Sequence, residues 1–175
     1  MTGRKEAEEE FVRFVTEAYP GLVRFGAFLA GERPRGEDLA QTALMKLYGS
    51  WSRLEDTAAA GAYARRTMVR LAERGRRRRW SGERPTPIEP EAVRTEDRTE
   101  ELAVLDQVRG ALARLPVSQR AVLVLRYFEM RSESEIANLL DVSPGTVKSR
   151  AARGLAALRE TGLLTSGQAV EEDVP

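Results

Sequence analysis

The residues of this chain best suited to chemistry are suited to binding, not to bond making. Thr146, Lys148, Ser149, Arg150 and Arg153 lie on a stretch that carries no acid between Ser143 and Arg159. Cations and hydroxyls repeated at helical spacing suit the phosphate oxygens and base edges of a duplex groove, where some side chains position the protein and others read sequence. A bidentate Arg–guanine contact is worth about 1–3 kcal/mol of discrimination. A second cationic set precedes it. Between Arg65 and Arg84 stand nine arginines and only two acids, Glu73 and Glu83. Arg65, Arg66, Arg70, Arg74, Arg76 and Arg77 point to a polyanionic partner, and Trp80 closes the run. The formal net charge of +1 conceals this asymmetry, because six acids gather between Glu89 and Glu101 against Arg94 and Arg98.

The elements that must position the first set are legible. Ser132 and Glu135 form an S-x-x-E capping box, so a helix starts there, with Ile136, Leu139 and Leu140 on its apolar face. Asp141-Val142-Ser143 is the turn. Ser143 is an N-cap and Pro144 suits the first helical position. Val142 and Val147 have the spacing of a hydrophobic staple; Val147, Leu155 and Leu158 face inward, and Lys148, Arg150 and Arg153 face out. The stretch also fits a plain helical hairpin with solvated cations. The two caps and the single sign of charge favour a DNA-binding helix-turn-helix.

The second set needs a long basic helix, predicted over Gly61–Arg79 with Tyr63, Met68, Leu71 and Ala72 buried. Upstream, Phe11, Phe14, Val15 and Ala18 share a face, Pro20 restarts the chain, and Leu22, Val23, Phe25, Phe28 and Leu29 pack a second helix. Gly31–Gly36 reads as a loop, Glu37–Trp51 as a helix and Arg53–Ala60 as a loop. Downstream, Leu102, Leu105, Val108, Leu112 and Leu115 mark a helix that Pro116 ends, and Val117–Met130 forms the next. Pro85, Pro87 and Pro90 followed by the acidic run read as an extended linker. The expected division is a first helical domain over 1–80, a linker over 81–99, a second helical domain over 100–162 and a disordered tail over 163–175. The fold class is all-α.

Composition excludes much else. The chain of 175 residues has no cysteine and no histidine. That removes disulfides, the usual zinc sites and the common nucleophile–histidine pairs. Carboxylate pairs remain, but the acids cluster in the tails and the linker, so no catalytic residue, metal or cofactor is expected. No apolar run reaches transmembrane length and the N-terminus lacks a signal-peptide core. A cytoplasmic protein is expected.

In this order the segments resemble a bacterial extracytoplasmic-function RNA polymerase sigma factor, and the arginine and alanine bias suits an actinobacterial type. FVRFVTEAYPGLVRFGAFLAG and GEDLAQTALMKLYGSW are similar to sigma region 2, and AYARRTMVRLAERGRRRRW to its promoter-melting helix. LARLPVSQRAVLVLRYFEMRSESEIANLLDVSPGTVKSRAARGLAALR resembles sigma region 4. The resemblance implies a subunit that directs core RNA polymerase to promoter DNA in a stress or environmental response. It assigns polymerase docking to an exposed face made of Asp38, Leu39, Gln41, Leu44, Met45 and Lys46. The helix alone leaves Leu44 and Met45 open between core and docking. The resemblance further implies minus-ten contacts from the arginines of the basic helix, with Trp80 as a ring for an unpaired base, minus-thirty-five contacts from the Ser143–Arg159 helix, and an anti-sigma factor as a further partner. The short segments at either end leave no room for the extra regions of housekeeping sigma factors or an appended sensing domain. Arg70 replaces a frequent Asn and Ala151 a frequent Leu. The reading in a different class is an autonomous helix-turn-helix regulator, which usually binds as a dimer; the chain shows no separate dimerisation element.

Overall fold

A continuous apolar stripe carries the first helix much further than the residue-level signals suggest. In the computed structural model, which describes residues 2–54, 56–80 and 100–160, α1 runs over Thr2–Ala30 with Pro20 inside it. Proline has no N–H and removes one i→i−4 bond, so Pro20 was expected to break the helix. Phe14, Ala18, Leu22, Phe25 and Leu29 nevertheless keep helical spacing across it, and all five belong to the core or pack against it. Burial on both sides of Pro20 outweighs the one lost bond. Gly31 ends the helix with φ of 86°, its N–H bonded to the Ala27 carbonyl at 2.9 Å. A left-handed residue here is inexpensive only for glycine.

The expected loop over 31–36 shrinks to two residues, because α2 spans Arg33–Tyr48. Pro34 sits in its first turn, where a missing N–H is harmless. Arg33 pairs with Glu37 at 2.9 Å. The early start brings Gly36 onto Gly26 of α1. A Cβ on Gly36 would lie 2.3 Å from the Ala27 nitrogen, and one on Gly26 would lie 2.4 Å from the Gly36 oxygen. The two backbones therefore touch, which only paired glycines permit. Two short 3-10 turns, Trp51–Arg53 and Thr57–Ala59, lead into α3, Ala60–Trp80. Ala60, Ala64, Met68 and Val69 form its buried stripe. Tyr63 lies off that stripe and is 39% exposed, which corrects its expected burial.

Four helices follow: α4 (Glu100–Arg114), α5 (Val117–Tyr127), α6 (Glu133–Leu140) and α7 (Pro144–Glu160). Leu112, Leu115, Val122, Leu125, Ile136 and Val147 are buried among them. The fold is all-α among the described residues, and no described helix is long and apolar enough to cross a membrane. The expected linker over 81–99 and tail over 163–175 lie outside the described residues. The halves on either side of the linker are packed together: α1 meets α4 and α5, and α3 meets α5 and α6.

Candidate nucleic-acid interface

The cap that starts α6 is complete. The Ser132 Oγ accepts from the Glu135 N–H at 3.3 Å, and the Glu135 carboxylate accepts from the Ser132 N–H at 2.8 Å. The Ser132 backbone N–H, then its hydroxyl, then Arg131 hold the Glu135 carboxyl far below its ordinary range, lowered to about 2. Asp141, in the left-handed region with φ of 59°, closes α6 and turns the chain. Ser143 then caps α7: its Oγ accepts from the Thr146 N–H at 3.2 Å. The Ser143 side chain fixes the α7 end of the turn, and the left-handed Asp141, whose backbone N–H donates to the Ala137 carbonyl, closes the α6 end.

Val147 and Ala151 seat α7 against the rest of the half, at 0% and 4% exposed. Gly154 is buried beside them, and a Cβ there would meet Leu123 at 2.9 Å. Ala151 is buried, and α7 lies close against the Leu123 side chain of α5 at Gly154. Leu155 and Leu158 are half-buried at the edge. On the opposite side Lys148 and Arg153 are exposed, and Thr146, Ser149 and Arg150 are half-buried. Three of the five, Thr146, Ser149 and Arg153, make hydrogen bonds within the motif. The Thr146 hydroxyl lies 2.9 Å from that of Ser143, and Ser149 donates to the Thr146 carbonyl at 3.1 Å. Arg153 folds along its own helix onto Ser149, with Nε 3.2 Å from the carbonyl. Lys148 lies 3.8 Å from Glu133 of α6, at the limit of an ion pair and well hydrated.

The arginines of α3 divide. Arg70 and Arg74 are exposed. Arg65 and Arg66 are half-buried and turned towards the second half of the chain. Arg76, Arg77 and Trp80 fall in the last turns of α3, and their side chains lie outside the described residues. Trp51 offers no ring surface for a base. It is 5% exposed and packs against Phe11 and Phe14, at centroid distances of 5.0 and 5.3 Å.

The face of α2 needs one correction. Asp38, Gln41, Met45 and Lys46 are exposed and Leu39 is half-buried, but Leu44 is 7% exposed and belongs to the core. Ala40, Ala43, Leu44 and Leu47 form the helical i, i+3, i+4, i+7 stripe, and Met45 falls off it at 75% exposed. A methionine so open is a flexible apolar contact available to another surface. Asp38 and Leu39 border a cleft of about 600 Å³ between the two halves, whose far wall includes Arg114 and Arg120.

Comparison with known proteins agrees with this arrangement. Residues 14–82 match the Sigma-70 region 2 model and residues 105–158 the Sigma-70 region 4 model. The chain is 39% identical over 151 residues to the RNA polymerase sigma-E factor of Streptomyces coelicolor, covering 86% of this chain and 85% of that one. It is 40% identical over 151 residues to the sigma-E factor of Streptomyces antibioticus, covering 86% and 83%. The ECF RNA polymerase sigma factor SigM of Mycobacterium tuberculosis is 34% identical over 132 residues, covering 75% of this chain and 66% of that one. Among solved structures, the sigma factor RpoE of Bartonella quintana, crystallised with the anti-sigma factor NepR, superposes with a TM-score of 0.64 at 20% identity. That likeness covers 90% of this chain and 99% of the other, and bears on the fold. With two sigma regions in order and near full-length relatives, the chain belongs to the extracytoplasmic-function family of RNA polymerase sigma factors.

Proposed function

We propose that this chain is a promoter-recognition subunit: it binds core RNA polymerase in the cytoplasm and selects the promoters at which transcription starts. The observation that carries the reading is the capped α6–α7 motif presenting Lys148, Arg150 and Arg153 on one chain with the exposed α2 face. The first domain covers 1–80 and the second 100–162. In the first, Asp38, Leu39, Gln41, Met45 and Lys46 dock on polymerase, with Met45 as the apolar anchor among polar neighbours. Leu44 supports that face from below. Arg65, Arg66, Arg70, Arg74, Arg76 and Arg77 neutralise the backbone of the melted minus-ten element, and Trp80 stacks on a base.

In the second, α7 enters the major groove of the minus-thirty-five element. Thr146, Lys148, Ser149, Arg150 and Arg153 supply the contacts, Lys148 and Arg153 chiefly to phosphate. Neither domain needs high affinity alone, because both are tethered and both sit on polymerase. The chain itself performs no bond chemistry and lends specificity to the enzyme it joins. An anti-sigma factor that covers the same faces would hold it inactive.

The test is holoenzyme assembly followed by footprinting on genomic fragments, including the region upstream of the chain's own gene. Two protected patches that need both this chain and core polymerase are expected. Protection by the chain alone, as a dimer over two half-sites, would replace this reading with the autonomous regulator.

A further inference from the structure

The methionines of the described residues differ sharply in how open they are. Met68 of α3 is 0% exposed, Met45 of α2 is 75% exposed, and Met130, in the turn between α5 and α6, is 81% exposed. A thioether sulfur is soft and oxidisable, and peroxides attack the sulfurs they can reach. No thiol competes for the oxidant, because the 175 residues include no cysteine. Burial shields Met68, while Met45 and Met130 stand open.

Met45 differs from Met130 in what surrounds it. Helical spacing places Gln41 and Tyr48 one turn to either side of it on α2. Tyr48 is half exposed, and its ring packs on Phe11 of α1 at 4.9 Å between centroids. Phe11 is itself partly open. An apolar strip therefore runs from Met45 through Tyr48 onto α1, and Asp38, Gln41 and Lys46 are exposed on the same helix. The buried stripe of α2 passes through Ala40, Ala43, Leu44 and Leu47, so Met45 stands outside the core. A change at its sulfur acts on whatever covers the strip and not on the fold.

We propose that Met45 is an oxidation site: a peroxide converts its thioether to the sulfoxide, and the chain so modified loses its hold on core RNA polymerase. The inference rests on the docking role proposed for the α2 face. A sulfur lone pair takes one peroxide oxygen as the O–O bond breaks. The proton on the transferred oxygen passes to the leaving one, so hydrogen peroxide departs as water. Sulfur gives up two electrons, the peroxide gains them, and no bond to carbon changes. A methionine sulfoxide reductase reverses the step: the oxygen leaves as water and a dithiol becomes a disulfide. The sulfoxide oxygen is a strong hydrogen-bond acceptor on a side chain of nearly the same shape. In the free chain water satisfies it. An apolar surface closing over Met45 buries it without a donor, which is unfavourable. The modification acts on polymerase docking alone, because α6 and α7 carry no part of this strip.

The test treats the full chain with hydrogen peroxide, removes the peroxide, and locates sulfoxides by peptide mass spectrometry. Met45 is expected to be oxidised while Met68 stays intact. Affinity for purified core polymerase is then titrated, each protein against its own untreated sample. Treatment is expected to weaken the parent about tenfold, the size expected for one buried acceptor left without a donor. Met130→Leu should show the same loss and Met45→Leu none. Reductase with dithiothreitol should restore the parent, and thermal unfolding should be the same before and after treatment. Met45→Gln, which carries a permanent polar group of similar length, should bind as weakly as the oxidised parent.

A Met45 that resists peroxide as Met68 does overturns the proposal. So does a Met45→Leu protein that loses as much on treatment as the parent. A parent that binds polymerase equally before and after treatment overturns the proposal alone. An untreated parent that fails to bind overturns the docking reading, and the proposal with it.

Discussion

The crossing of α1 and α2 at Gly26 and Gly36 allows one substitution to be predicted with opposite signs at two places. In Gly36→Ala the added Cβ would sit 2.3 Å from the nitrogen and 2.6 Å from the Cα of Ala27. Both are backbone atoms, so no side chain can rotate away. Relieving the clash requires the helices to part by about 1 Å, and a gap of that size forfeits roughly a quarter to a half of each dispersion contact along the seam. Phe25, Leu29, Ala40 and Ala43 near the crossing are all buried. Overpacking of this kind costs about 3 kcal/mol, at the upper end for core insertions. For a chain of this size that is a fall of roughly 6–12 °C in Tm. At Gly110, an exposed position inside α4, a Cβ meets nothing within 4 Å. Gly110→Ala should add about 0.5–1 kcal/mol by removing backbone freedom from the unfolded chain and favouring helix. The assay is thermal unfolding followed by far-ultraviolet circular dichroism on both variants. A Gly36→Ala protein as stable as the parent would refute backbone contact at the crossing. A destabilised Gly110→Ala would refute the open space at α4.

Ser132→Ala removes the cap of α6 and should lower stability by about 1 kcal/mol. Glu135 carries the matching pH dependence. Its folded-state value is lowered from 4.5 to about 2, so its contribution is fully present above about 4.5 and disappears as pH falls towards 2. Acid titration of Glu135→Gln should show a flatter stability profile in that window, and an unchanged profile would contradict the capping geometry. Leu44→Ala should destabilise the fold by about 2–4 kcal/mol, whereas Met45→Ala should leave unfolding unchanged and weaken assembly with core polymerase; a melt and a binding titration separate the two. Lys148→Ala and Arg153→Ala should each reduce duplex binding by similar factors across sequences and flatten the salt dependence by about one phosphate contact, read from binding at several ionic strengths.

The parts legible in the sequence are those decided locally. The capping box at Ser132–Glu135 and the Ser143-Pro144 start both occur where expected, because each cap is a contact between residues three apart. The buried stripe of α2 was also available: the spacing of Ala40, Ala43, Leu44 and Leu47 puts Leu44 inside and Met45 outside. Pro20 and the start of α2 depart from their local signals for different reasons. At Pro20 a local penalty was outweighed by burial on α1 that depends on the other helices. At the start of α2, Pro34 sits in the first turn, so a residue type common in loops belongs to the helix there. The Gly26–Gly36 contact joins residues of two elements, and nothing in either local pattern announces it. The same holds for Arg65 and Arg66. Their charge pointed to a polyanion, and their partners in this fold, Glu129 and the end of α6, lie more than sixty residues away in the chain. Long-range pairing of this kind has no periodicity to reveal it.

The central claim is that this chain gives core RNA polymerase its choice of promoter. Run-off transcription with purified core polymerase and genomic fragments, with and without the chain, tests it most directly. The account predicts discrete starts that appear only when the chain is added, with output lost in a variant carrying both Lys148→Ala and Arg153→Ala. Identical transcripts with and without the chain, from a protein shown to be folded, would contradict it.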